Sequence, residues 1–325
     1  MKMKRSMANR STKTNKIIVP SNDKHEIRQG QSVELLKELH ILTRDGKLNQ
    51  DSRRKLKQVY HLYQFIEPLL QELQNTQPAI SLVDHGSGKS YLGFILYDLF
   101  FKNLENIDRS HIYGIETRDE LVNKSTELAN RLGFRQMSFL NLSVAESIDS
   151  NLIPKQVDIV TALHACNTAS DDAIQFALTK SAKYIVLVPC CQAEVANILK
   201  TNYSKHYSKK VKSSKGSNNS NGNNDSKGNT DANCVALAEL WRHAIHAREF
   251  GSHITNVLRC LQLEAHGYKV TATELVGWEH SLKNELILAK KINNYNEVAQ
   301  QKLTQLLHVL NLEELSFRFN RPIFP

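Results

Sequence analysis

The chain has 325 residues, a mean hydropathy of −0.42, and 42 lysines and arginines against 33 aspartates and glutamates, enough for one large domain with extensions or for two. Its composition excludes a collagen-like repeat, a coiled-coil rod and a wholly disordered chain, and its longest apolar run, Tyr91 to Phe101, is interrupted by Asp98 and far below the ~20 residues that span a bilayer. No membrane partner is expected.

The positive charge is unevenly placed. Residues 1–24 carry seven basic side chains and one acid, and residues 203–233 carry six lysines and two aspartates, leaving 29 basic against 30 acidic residues elsewhere. The excess therefore belongs to two polar segments and not to the body of the chain. The five cysteines (Cys166, Cys190, Cys191, Cys234, Cys260), with no apolar signal-peptide core, argue against a disulfide framework and for a reducing, cytoplasmic location. The acid-free first 22 residues lack the amphipathic pattern of a transit peptide, so residues 1–30 read as a disordered basic tail.

In chain order, Ser32 to Leu42 and Ser52 to Leu73 read as helices of an N-terminal extension over residues 31–76. The second carries Arg53, Arg54, Lys55 and Lys57 near its start and an apolar stripe of Val59, Leu62, Ile66, Leu69 and Leu73. Five short apolar runs follow, each the length of a buried strand: Ile80 to Asp84, Ile112 to Glu116, Met137 to Asn141, Val157 to Leu163 and Tyr184 to Val188. Helical patterns separate them at Tyr91 to Phe101, Asp119 to Leu132, Val144 to Ser150 and Ser170 to Ser181. Such alternation predicts an α/β, doubly wound sheet of parallel strands with helices on both faces.

Ser204 to Asn233 is rich in Ser, Asn, Gly and Lys and cannot bury enough surface to offset its ordering entropy, so it reads as a disordered insertion within one domain spanning residues 77–295. Beyond it lie a helix over Ser252 to His266 and two strands, Lys269 to Glu274 and Glu285 to Ala289. With no helix between them, these last strands are expected to pair antiparallel. Residues 296–325 form a C-terminal helical extension.

The most specific local signal is SLVDHGSGKS, Ser81 to Ser90, at the junction of the first strand and its helix. Glycines 86 and 88 permit a tight turn and close ligand approach at a helix N-terminus. A phosphate-binding P-loop needs glycine where Val83 stands, and Asp84 would repel a triphosphate, so a nucleotide hydrolase is disfavoured. A dinucleotide fingerprint fails at Tyr91. The pattern that fits is an acid, two alternating glycines, and a second strand ending in an acid, Glu116, placed to hold a ribose.

At this point the chain resembles the class I S-adenosylmethionine-dependent methyltransferases. VDHGSGKSYLGFILYD, YGIETRDELV, DIVTALHACNTASDDAI, IVLVPCCQAE and ELVGWEHSLKNELILAKK are similar to a branch with GSGKG, LHxC and PCC motifs, which includes uncharacterised bacterial proteins and eukaryotic relatives named for a ribosomal RNA adenine dimethylase domain. The likeness runs from about Val59 to Lys291 apart from the insertion, and Ser90 stands where that branch usually has glycine. It implies a seven-stranded Rossmann-like methyltransferase sheet with an antiparallel last strand. It also implies S-adenosyl-L-methionine as cofactor, with Asp84, Gly86, Ser87 and Gly88 around its amino-acid moiety, Lys89 either meeting its carboxylate or facing solvent, Glu116 on its ribose and Asn141 beside its adenine. RNA, or next a protein, is the implied acceptor.

The acceptor side is less determined. His164, in Leu163-His164-Ala165-Cys166-Asn167, is a candidate for orienting or deprotonating an acceptor, the plainer alternative being a histidine bonded to its loop backbone. Cys190 and Cys191 are candidates for attack on a pyrimidine, or else line the pocket as small apolar groups or do metal or redox work. Asn167, Trp278 and His280 are candidate substrate contacts, with Trp278 and His280 equally readable as structural. No zinc-type ligand set is seen, and no metal is expected. The Asn/Asp-Pro-Pro-Tyr segment of many amino-group methyltransferases is absent where DIVTALHAC stands, which weakens adenine N6 dimethylation. A cofactor-binding scaffold without turnover is the alternative.

Overall fold

In the computed structural model, residues 27–163, 168–189, 193–202, 239–275 and 285–320 are described. They fall into two compact units, Met1–Leu56 and Lys57–Pro325. The first contains α1 (Val33–Glu38), whose N-cap Ser32 accepts the Leu35 N–H, and the start of α2 (Gln50–Thr76). The expected helix to Leu42 ends early because His40 turns to a positive φ of 53°, outside helical space.

The second unit is built on one seven-stranded sheet: β1 (Ser81–His85), β2 (His111–Glu116), β3 (Met137–Asn141), β4 (Ile159–Leu163), β5 (Tyr184–Val188), β6 (Tyr268–Glu274) and β7 (Glu285–Lys291). Their order is β3-β2-β1-β4-β5-β7-β6. The first five run parallel, and β7 lies antiparallel to both β5 and β6. This is the α/β doubly wound, Rossmann-like methyltransferase sheet with a reversed last strand. β5 is buried along its whole length, as expected of a central strand covered on both faces.

The crossovers are α3 (Tyr91–Leu99), α4 (Asp119–Leu132), α5 (Val144–Asp149) and α6 (Ala169–Thr179). α4 carries Asp119 and Glu120 in its first turn and Arg131 in its last, matching the helix dipole, and Gly133 closes it in the left-handed region at φ 71°. α5 is a short helix started by a reciprocal capping box between Ser143 and Glu146. In α2 the buried face is Leu62, Tyr63, Ile66, Leu70 and Leu73, so Leu70 takes the place expected of Leu69, and Pro68 sits on the solvent side.

After β5 the chain forms α7 over residues 194–202, a helix not expected from the sequence. Then come α8 (Ala244–Ala265), α9 (Glu297–Val309) and the single turn α10 (Ser316–Phe319). α8 begins eight residues before the expected Ser252 and runs through Gly251. Glycine in a helix interior costs about 1 kcal/mol relative to alanine, but a Cβ here would lie 2.7 Å from the backbone nitrogen of Ala196 and 2.8 Å from its Cα. The glycine therefore lets α8 and α7 cross almost backbone to backbone. Around that crossing Val195, Leu199, Ile254, Leu258, Leu303 and Phe319 form a second core beside the sheet.

Beneath it lies a buried charge network. Arg259 of α8 is fully buried, donates to Asp171 of α6 at 2.6 Å and to Asn256 at 3.2 Å, and Asn256 in turn donates to Glu285 of β7 at 2.6 Å. Arg318 of α10 adds bonds to Glu194 of α7 and sits 3.8 Å from Asp171. Among the described residues, no helix is long and apolar enough to cross a membrane.

Gly251→Ala is expected to destabilise the protein by about 1–3 kcal/mol through overpacking against Ala196, although alanine is the better helix former. Urea denaturation measures it, and a stability gain would show that the crossing relaxes freely.

Candidate functional site

The order of strands reverses between β1 and β4, so the connections leaving their carboxyl ends diverge and open a crevice, the place where open α/β sheets bind ligands. Asp84 of β1 and Thr161 of β4 face each other in register across this switch point. Asp84 is only 2% exposed. Thr161 donates its hydroxyl to Asp84 Oδ1 at 2.8 Å, and Ser90 donates to Oδ2 at 3.4 Å. Burial pushes the Asp84 carboxyl up to about 6, with the Thr161 and Ser90 hydroxyls pulling the other way.

The loop that follows, Gly86 to Lys89, is held to β2. Ser87 N–H donates to the Ile115 carbonyl at 2.9 Å, and Gly88 N–H donates to Glu116 Oε2 at 2.9 Å. Gly86 and Gly88 adopt φ of 64° and 57°, conformations costly for other residues. Val83 is buried within β1, so the loop starts only at Gly86 and is too short for the phosphate cradle of a nucleotide hydrolase. The Lys89 side chain is exposed.

Ser90 explains its own departure from glycine. It caps α3 at φ 50° and ψ 39°, in the left-handed region, at a cost of roughly 1–2 kcal/mol for a residue with a Cβ. Its hydroxyl recovers part of that through Asp84. The space for the hydroxyl is made one turn on, where a Cβ on Gly93 would lie 2.5 Å from Ser90 Oγ. Ser90 and Gly93 are thus a matched pair.

Glu116 closes the other side. Its carboxylate accepts Arg118 Nε–H at 3.0 Å, an Arg118 terminal N–H at 3.1 Å and the Arg118 backbone N–H at 3.1 Å, besides Gly88. Burial acts to raise its pKa, but these donors outweigh it and hold the carboxyl below the usual range. The Arg118 side chain is 63% exposed, so its fork can leave at small cost. Asn141 lies beside Glu116 in register on β3 and donates to Asp119 at 3.3 Å.

Asp84, Gly86, Ser87, Gly88, Lys89, Glu116 and Asn141 thus lie on the carboxyl edge of three adjacent strands or in the loop that leaves it. His164, Asn167, Cys190, Cys191, Trp278 and His280 lie outside the described residues.

Sequence reasoning misses four contributors. Thr161 is signalled only as the one polar residue in the strand IVTAL, Ser90 as a glycine replacement, and Arg118 as a base two residues beyond an acid. His85 ends β1 on the opposite face from Asp84. Its ring lies against Phe176, with centroids 5.4 Å apart. Its buried Nε2 has no hydrogen-bond partner among the described residues. Burial lowers its pKa to about 4 against the opposing charge of Glu116, leaving the imidazole neutral at pH 7.

The Ser90 and Gly93 pairing predicts strong non-additivity. Gly93→Ala alone is expected to displace the hydroxyl from Asp84 and to be neutral or destabilising. In a Ser90→Gly background the same change should stabilise by about 1 kcal/mol, the helix-propensity gain. A double-mutant cycle in urea decides, and additive effects would refute the pairing.

Comparison with known proteins adds three findings. Residues 54–198 match a family model described as a methyltransferase domain. Two curated proteins, the mouse (Mus musculus) and cattle (Bos taurus) "Glutathione S-transferase C-terminal domain-containing protein", are similar at 24% and 23% identity over 166 residues, which is 51% of this chain and 23% of theirs. The chain thus spans about a quarter of the length of those relatives. Solved structures with likeness include a putative caffeoyl-CoA O-methyltransferase from Staphylococcus aureus (11% identity, 83% of this chain and 96% of that one, TM-score 0.42). Another is the magnesium protoporphyrin IX methyltransferase of Synechocystis PCC 6803 with bound SAH (11%, 81% and 95%, TM-score 0.40). A third is the N-terminal domain of human METTL16 with SAH (8%, 73% and 71%, TM-score 0.41). The family match over β1 to β5, joined to the strand order and the reversed β7, supports a class I methyltransferase, the class whose methyl donor is S-adenosyl-L-methionine.

Proposed function

We propose that the protein transfers the methyl group of S-adenosylmethionine, with RNA the favoured acceptor and protein the next. The observation that carries this reading is the buried carboxylate of Asp84 at the switch point, beside a two-glycine turn and flanked by Glu116 on the next strand. These groups fit the donor. Asp84 suits its ammonium group, the backbone of Gly86 to Gly88 admits close approach, and Glu116 suits the two ribose hydroxyls once Arg118 withdraws. Asn141, at the end of β3, borders the adenine.

When bound, the sulfonium supplies an electrophilic methyl carbon and a neutral thioether leaving group. The protein's share is then positional: the rigid carboxyl edge sets donor and acceptor in line and keeps water out. β4 and β5 both end on that edge, so His164 and Asn167 after β4, and Cys190 and Cys191 after β5, are the groups proposed for the acceptor side, with Trp278 and His280 from the β6–β7 connection. His164 is the proposed base where the acceptor must lose a proton.

RNA is favoured by charge placement. Arg53, Arg54, Lys55 and Lys57 are all exposed on α2, and the lysine-rich segments 1–24 and 204–233 can add salt-sensitive, sequence-blind affinity.

Calorimetry with S-adenosylmethionine should show saturable binding that Asp84→Ala weakens at least about thirtyfold, as for truncating one partner of a buried charge pair. No heat at millimolar ligand, with the variant indistinguishable, would sink the reading. Labelled cofactor incubated with total cell RNA and protein should label RNA, and binding without transfer would instead indicate a scaffold.

Deleting residues 1–24 and 204–233 should flatten the dependence of RNA affinity on salt while leaving cofactor affinity unchanged. An unaltered slope would assign those charges a merely solubilising role.

A further inference from the structure

We propose that Thr161 is a positioning residue for cofactor binding: its hydroxyl, with that of Ser90 as the weaker second arm, clamps the Asp84 carboxylate in the rotamer that receives the donor's ammonium group. The proposal rests on the functional reading above and extends it to residues outside the glycine loop.

Three observations meet here. Thr161 is fully buried, is the one polar side chain in β4, and spends its hydroxyl proton on Asp84 across the switch point at 2.8 Å. Ser90 holds the other oxygen from the N-cap of α3 while keeping an unfavourable left-handed backbone. Among the described residues these two hydroxyls are the side-chain hydrogen bonds of Asp84, and both come from groups that cannot themselves become charged.

The surrounding charges are spent elsewhere. Glu116 on β2 is paired with Arg118, His85 on the other face of β1 is held neutral by burial, and Lys89 on the loop has an exposed side chain. A carboxylate in such a site tends to protonate, and a protonated carboxyl is a poor partner for an ammonium ion. Hydroxyl donors oppose this because they bond best to the ionised form. Coming from two elements on opposite sides, they also leave the side chain a single well. Thr161 thus links the β4 strand, whose end opens on the acceptor side, to the group that grips the donor.

The test uses the full-length protein and three variants. Thr161→Val keeps the shape and removes the hydroxyl, Thr161→Ser restores it, and Ser90→Gly removes the weaker arm. In the unliganded protein the Asp84 carboxyl carbon, followed by NMR, should titrate near 6 in the wild type. It should titrate at higher pH in Thr161→Val, at nearly the wild-type pH in Thr161→Ser, and with a smaller rise in Ser90→Gly.

Calorimetry with S-adenosylmethionine and S-adenosylhomocysteine, both carrying the ammonium group, should show about tenfold weaker binding in Thr161→Val, the order lost with a charge-assisted hydrogen bond, and recovery in Thr161→Ser. Affinity should decline as the pH falls through the Asp84 midpoint, beginning at higher pH in Thr161→Val. Equal affinities together with an unmoved midpoint would overturn the proposal. Should the wild type bind neither ligand, the functional reading fails, while the midpoints still judge the clamp. If Thr161→Val does not fold, Thr161→Ala carries the same comparison, with Thr161→Ser as the hydroxyl-bearing control.

Discussion

The carboxylate of Asp84 is buried where the sheet changes direction, and much of the local design follows from keeping it there. A carboxylate taken out of water without donors would cost several kcal/mol or simply protonate. Thr161 and Ser90 supply the donors, and each imposes a condition elsewhere. Thr161 puts a hydroxyl in the middle of an otherwise apolar strand. Ser90 accepts a left-handed backbone, and its hydroxyl leaves room only for glycine at position 93. The loop between them is stitched to β2 through Ile115 and Glu116, so the two acids of the site are coupled by backbone and not by direct contact.

A second constraint operates on the other side of the sheet. The reversed β7 removes the usual crossover helix between the last two strands, and the covering role passes to α7, α8, α9 and α10. Arg259, fully buried, ties these to the sheet through Asp171 and through Asn256 to Glu285, while Arg318 reaches Glu194. Buried ion pairs seldom add net stability compared with apolar packing, but breaking one by removing a partner is costly. Here the pairs join α6, α7, α8, β7 and α10 in one arrangement. The close crossing of α7 and α8 at Gly251 belongs to the same construction.

Much of this architecture is legible in the amino-acid sequence. The five parallel strands are visible because buried strands read as continuous apolar runs, and β3 and β5 fall on the expected residues. The glycine loop and its flanking acids are legible because backbone requirements there restrict residue type. The helix ends are less so. α7 is hidden because it directly abuts a polar segment that masks its periodicity, and the first two turns of α8 because Ile245 is exposed and Gly251 follows, so the apolar stripe is not continuous there.

What the sequence alone determined is therefore the fold class, the antiparallel closing strands and the two-glycine turn with its flanking acids, since periodicity, turn chemistry and a few special backbone positions are written locally. What only the tertiary structure decided is partnership. That Thr161 serves Asp84 across 77 positions, that Arg259 serves Asp171 across 88, and that Gly251 exists for Ala196 depends on which strands and helices become neighbours. A hydrogen bond or a close approach between distant residues leaves no periodic trace in either segment, because its energy arises only once burial has removed the water that would otherwise satisfy both groups.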